Sequence, residues 1–213
     1  MFNFAADFIM IDKREHILIT AEALFAEKGF EGTSVRELCT KAGVNVAMVS
    51  YYFGSKEQLM EALIEFRSGF MREKLDEIRK QSISASEKLE LIIDHYVARI
   101  FSNSQYHRIL HRELSLQQRS QFNALISKLL MVNFSVMREI INDGIESKEF
   151  KNVDVELTIV SMIGTITQVV VSSFLTCKLL NEKYNELSVV TDKSHQQRVS
   201  KHLKGMLLAY LKK

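Results

Sequence analysis

The chain has 213 residues, 46% of them apolar and 25% charged, with a formal net charge of +2. These ordinary globular values exclude disordered and fibrous classes and allow one sizeable core or a small module joined to a larger one. With no proline and only 8 glycines breakers are scarce, so long helices are expected and the fold class is all-α.

The opening stretch Met1 to Ile11 is apolar but lacks a basic leader region and a small-residue cleavage site, so it reads as an arm or helix extension. Asp12 followed by Glu15 starts a first helix, with Ile17, Ala21, Leu24 and Phe25 on one face and Gly29 as its stop. Ser34 with Glu37 caps a second helix striped by Val35, Leu38, Cys39 and Ala42, closed by Gly43. Asn45 caps a third, Val46 to Tyr52, ended by Gly54. Ser55 with Gln58 opens a fourth, carried by Leu59, Leu63, Phe66 and Phe70 to about Lys80.

Three short helices in this span, two of them joined by a tight glycine turn, have the organisation of a helix-turn-helix. Leu38, Ala42, Val44 and Val49 would set the crossing of the helix pair, leaving the outer face of the third helix to enter a major groove.

Apolar stripes continue from Leu89 to Ile100 and from Phe122 to Ile140, with a short connecting helix over Tyr106 to Leu114. Asp154 opens an apolar run to about Leu180, whose interior polar residues, among them Thr158, Ser161, Thr165 and Gln168, favour a buried helix over a membrane span. After a polar loop over residues 181–192, Ser194 to Leu211 form a last amphipathic helix.

Four strings, Leu24-Phe25-Ala26-Glu27-Lys28-Gly29-Phe30, Thr33-Ser34-Val35-Arg36-Glu37-Leu38, Ala42-Gly43-Val44 and Tyr51-Tyr52-Phe53-Gly54-Ser55-Lys56-Glu57-Gln58-Leu59, resemble the TetR family of repressors. The resemblance implies a three-helix DNA-binding domain over residues 1–55 and a helical effector-binding and dimerisation domain over 56–213. It further implies double-stranded operator DNA, an unidentified small-molecule effector and a second copy of the chain as partners. The expected assembly is an Ω-shaped homodimer in which Asp154 to Leu180 and Ser194 to Leu211 form a four-helix bundle with their mates.

By position within the motif, Asn45, Val46, Ala47 and Met48 open the reading helix. The last three have no hydrogen-bonding side chains, so they offer apolar contact, for instance with thymine methyls. Ser34, Arg36, Ser50, Tyr51, Tyr52 and Lys56 resemble the family's phosphate clamp, although many relatives carry tyrosine where Ser50 stands. Tyr52 and Lys56 are the stronger of these readings, and Phe53 is expected in the core. From Asp12 to Lys56 six basic and six acidic residues cancel, so a single module should bind DNA weakly and two are needed. Approximate helix placement offers Tyr96, Phe101, Phe134, Met162 and Gln168 as effector-pocket residues.

No cofactor, metal or membrane is expected. His107 and His111 share a helical face, but nothing in the sequence places a third ligand. Cys39 and Cys177 are far apart in sequence and fit a reducing cytoplasm. Catalytic motifs such as Gly-x-Ser-x-Gly and His-Glu-x-x-His are absent, which argues against the rival reading of a helical enzyme.

Overall fold

The computed structural model describes residues 12–116, 120–180 and 192–212. The apolar segment 1–11 and the polar loop, apart from Asp192, lie outside them. The described helices are α1 (Lys13–Gly32), α2 (Val35–Ala42), α3 (Val46–Phe53), α4 (Lys56–Arg79), α5 (Ala85–Ser102), α6 (Ser104–Ser115), α7 (Ser120–Glu146), α8 (Val155–Val171), α9 (Ser173–Leu179) and α10 (Lys193–Leu211). The all-α expectation holds. The chain divides into two compact units, Met1–Ile64 and Glu65–Lys213. The division falls inside α4, beyond the 55/56 boundary suggested by the motif.

Helix starts follow the capping residues. Asp12, Ser34, Asn45 and Asp154 each accept a hydrogen bond from a backbone N–H of the following turn, at 3.2, 3.2, 2.8 and 2.8 Å. At α4, Ser55 and Gln58 cap reciprocally, both bonds at 3.1 Å. A cap not singled out from sequence opens α5, where Ser84 and Glu87 form a capping box and Glu149 accepts from the N–H groups of Ala85 and Ser86 at 2.9 and 2.8 Å. Gly29, at φ 83°, interrupts α1 where the stop was expected, and the last residues of α1 resume after a kink.

In the first unit, Ile17, Leu18, Leu24, Phe25, Leu38, Val49 and Phe53 are buried. His16 Nε2 donates to Ala42 O at 3.1 Å, pinning α1 to the end of α2. Thr33 Oγ1 donates to Gly29 O at 2.8 Å, fixing the chain between them. In the second unit α5 is central, packed against α7, α8 and α10, with α6 on α8. Ile92, Ile93, Ile100, Phe101, Ile140, Met162, Ile166 and Leu203 lie at its core.

Two expectations are corrected. The run from Asp154 to Leu180 is not one helix: α8 ends at Val171, Ser172 leaves helical geometry, and α9 departs at 97°. The β-branched run Val169 to Val171 followed by two serines offers weak helix propensity, and serine hydroxyls compete for backbone partners. Nor is that run wholly buried, for Leu157 and Val160 are 61% and 63% exposed. No single described helix is long and apolar enough to cross a membrane.

Candidate DNA interface and ligand cavity

The α2–α3 turn is made by Gly43 in the left-handed region, φ 64°, a conformation that disfavours side chains. Leu38, Ala42 and Val49 face inward from the two helices, so the opposite face of α3 is presented outward. Asn45, Val46, Ala47 and Ser50 are exposed and Met48 is half-buried. The side-chain oxygen of Asn45 is committed to the N–H of Met48, so the first turn of α3 offers a mainly apolar surface.

The donor set around it is distributed over both helices. Ser34 and Arg36 are exposed on the first turn of α2, and Tyr51 is 84% exposed on α3. Tyr52 is half-buried with its ring edge-on to Tyr51 at 5.3 Å. Tyr51 is therefore the freer of the two hydroxyl-bearing rings, the reverse of their ranking from sequence. Phe53 is buried as expected.

Lys56 is placed differently. Its Nζ donates to Phe30 O at 2.9 Å and Thr33 O at 3.1 Å and lies 4.3 Å from the centre of the Phe30 ring. The ammonium thus closes the end of α1 onto the start of α4, a role with no signal in the motif.

The second unit holds two adjoining cavities. The first, about 350 Å³, lies among α4, α5, α6, α7 and α8; its wall includes Met71, Tyr96, Ile100, Leu110, Phe134 and Ile163, with Arg67, Arg99, His107 and His111 as its basic side chains. The second, about 540 Å³, opens along α8 and is lined by Phe134, Ile159, Val160, Ile163, Gln168 and Val171 among others. Of the pocket residues expected from sequence, Tyr96 lines the first cavity, Gln168 the second and Phe134 both. Phe101 and Met162 line neither, being packed in the core. Approximate helix placement, which suggested them, does not separate a core face from a cavity wall, because both are buried.

Polar side chains are interspersed among the apolar ones on the first wall. Ser68 and Tyr106 share a hydrogen bond at 3.3 Å. Tyr96 Oη and Asn133 Oδ1 are buried without a protein hydrogen-bond partner. Burial, then the nearby Arg99 and Arg67, push the His107 pKa down to about 3. His107 and His111 both face this cavity. Among the described residues no group of three or more His, Cys, Asp and Glu is placed to hold a metal ion.

The neutral state of His107 has a pH consequence. Because its folded pKa lies below the unfolded 6.5, the unfolded chain binds the proton first, so stability is complete above that value and falls as the pH drops toward 3. Wild type should lose roughly 1 kcal/mol from this group between about pH 6.5 and 5.5. Urea unfolding at a series of pH values should show that His107→Gln lacks this component of the slope.

Residues 17–63 match bacterial regulatory proteins of the tetR family, and residues 82–171 match the tetracyclin repressor-like C-terminal domain. The probable HTH-type transcriptional regulator YttP of Bacillus subtilis is 33% identical over 144 residues, 66% of this chain and 68% of that protein. The fatty acid metabolism regulator protein of the same organism is 27% identical over 159 residues, 74% of this chain and 81% of its own. The crystal structure of the transcriptional regulator FadR from Bacillus subtilis in complex with stearoyl-CoA superposes with a TM-score of 0.73 at 23% identity, over 92% of this chain and 97% of that one.

Proposed function

The chain belongs to the TetR family of bacterial transcriptional regulators, and we propose that it represses its targets as a homodimer that leaves the operator when a long-chain acyl-CoA enters the cavities of its second unit. The family is one of DNA-binding regulators rather than enzymes. The observation that carries the DNA side is the outward face of α3, where Val46, at 46% exposure, and Ala47 are exposed in the same helix-turn-helix that exposes Ser34, Arg36 and Tyr51. Donors of that kind hold phosphates, while methyl-bearing side chains in the groove select thymine methyls. A regulator of operator DNA would act in the cytoplasm, and we assign the protein there as part of this proposal.

Two copies are required by geometry and by charge. The two reading helices must enter successive major grooves about 34–36 Å apart, and the span from Asp12 to Lys56 carries no net charge to hold DNA alone. An exposed apolar strip of Leu157, Val160, Met206 and Tyr210 on α8 and α10 supports those helices as the contact between copies. The acyl reading draws on the mainly apolar cavity walls, on the relative named for fatty acid metabolism and on the stearoyl-CoA bound in the similar structure. Helix α4 supplies Lys56 to the first unit and Arg67, Ser68 and Met71 to the first cavity. A ligand that favours one tilt of α4 therefore favours one spacing of the reading helices.

The test is fluorescence anisotropy on DNA from upstream of the protein's own gene, titrated with stearoyl-CoA. Tight binding that the ligand reverses is expected. Arg36→Ala and Tyr51→Phe should each weaken binding about 30-fold, from about 1 kcal/mol per contact counted in both protomers. Replacing thymine by uracil at the contacted positions, which removes only the methyl, should weaken the wild type about 3- to 10-fold and a Val46→Ala variant less. Parent-like binding by both clamp variants would remove those residues from the interface. Binding that no acyl-CoA reverses, with no thermal stabilisation by one, would favour a regulator acting by DNA alone.

A further inference from the structure

The two cavities of the second unit have five wall residues in common: His111, Met131, Phe134, Ile163 and Thr167. They are therefore neighbouring chambers divided by side chains from α6, α7 and α8. None of the five is fully buried. Phe134 and Ile163 pack on the edge of the core, and Met131 is substantially exposed. The divider is therefore a row of side chains at the core's margin. Phe134 turns about two side-chain torsions and Met131 is unbranched and adaptable.

The chambers differ in chemistry. Arg67, Arg99, Asn103 and Tyr106 are found only in the first, alongside Met71, Ile100 and Leu110, whereas Ile159, Val160 and Val171 are found only in the second, alongside Arg138, Glu156 and Gln168. The second is bounded by Arg138, whose Nε donates to Glu156 Oε1 at 2.9 Å. A polar ligand end can lie beside Arg67 and Arg99 in the first chamber, and an extended apolar body can follow the shared Met131, Phe134 and Ile163 to Ile159 and Val171 in the second.

Building on the acyl reading above, we propose that the two chambers are successive halves of one site and that Phe134 is the partition setting how long a chain the first half accepts unaided. A short chain ends against the Phe134 ring. A longer one must displace that ring and gains the aliphatic wall beyond it. Affinity then rises with length in two stages, with a break where the chain meets the partition.

The experiment is calorimetric titration of the full chain with saturated acyl-CoAs from octanoyl to stearoyl. Phe134→Ala should abolish the break and raise affinity for chains just beyond it by about tenfold, since each added methylene is then buried without moving a ring. Gln168→Trp, at an exposed position lining only the second chamber, should weaken stearoyl-CoA by about tenfold or more and leave octanoyl-CoA unchanged. That paired outcome supports the serial arrangement. Equal weakening of short and long chains by Gln168→Trp, or an unchanged length profile in Phe134→Ala, overturns the partition while leaving the acyl reading in place. Failure of every acyl-CoA to bind the wild type overturns both.

Discussion

A carboxylate in place of Val160 is expected to give a folded monomer that has lost its hold on operator DNA. Val160 and Leu157 stand on one side of α8 and Met206 and Tyr210 on α10, around an open groove of about 600 Å³ that also contains Gly164. A Cβ at Gly164 would meet nothing within 4 Å, which leaves room for a second helix to approach. In a two-fold interface each substitution acts twice. Val160→Asp removes two buried valines, each contributing roughly 1.5–3 kcal/mol, and buries two unpaired carboxylates at a further cost of several kcal/mol. Because Val160 packs little within its own chain, the fold should survive.

The DNA consequence follows from charge. With its basic and acidic residues balanced between Asp12 and Lys56, one module has little non-specific affinity, and coupling two modules multiplies binding by about 10²–10⁴. Val160→Asp should lose that factor. Sedimentation gives the mass, circular dichroism the fold and anisotropy the operator affinity. A Val160→Asp protein that still sediments as a dimer would remove the α8–α10 strip from the interface.

How far the sequence could be read depended on what each signal reports. Capping residues act locally, so Asp12, Ser34, Asn45, Ser55 and Asp154 marked helix starts that the structure keeps. Gly43 marked the left-handed turn between α2 and α3. Apolar periodicity identifies a buried face without saying what buries it. Helix α5 is packed by α7, α8 and α10, so its stripe could not separate Tyr96 on a cavity wall from Phe101 in the core. The break at Ser172 was hidden for another reason, because three valines and two serines only weaken a helix and give no glycine or proline stop, while apolar residues continue beyond them. Ser173, Thr176 and Cys177 are buried after the bend, whereas Phe174, Leu175 and Leu179 are exposed.

Lys56 shows how a motif can name a residue and leave its work undecided, and Lys56→Met separates the alternatives. The methionine keeps most of the side-chain length and removes the ammonium that donates to Phe30 O and Thr33 O and rests over the Phe30 ring. Hydrogen bonds from a charged donor contribute about 1.5–3 kcal/mol each. Discounted for the half-exposed site, Lys56→Met should cost the first unit about 2–3 kcal/mol, a thermal shift of several degrees. Thr33 leads directly into Ser34, the cap of α2, so the loss would also loosen the end of α2 that carries Arg36. Salt dependence distinguishes a brace from a phosphate contact. A lysine that neutralised one phosphate per protomer would, when removed, lower the slope of log affinity against log salt by about 2 in the dimer. With two of its three protons already given to carbonyls, Lys56 is expected to change stability strongly and that slope by less than about 1. Unchanged stability with the full loss of slope would make Lys56 a phosphate ligand and leave the α1–α4 closure to the apolar contacts alone.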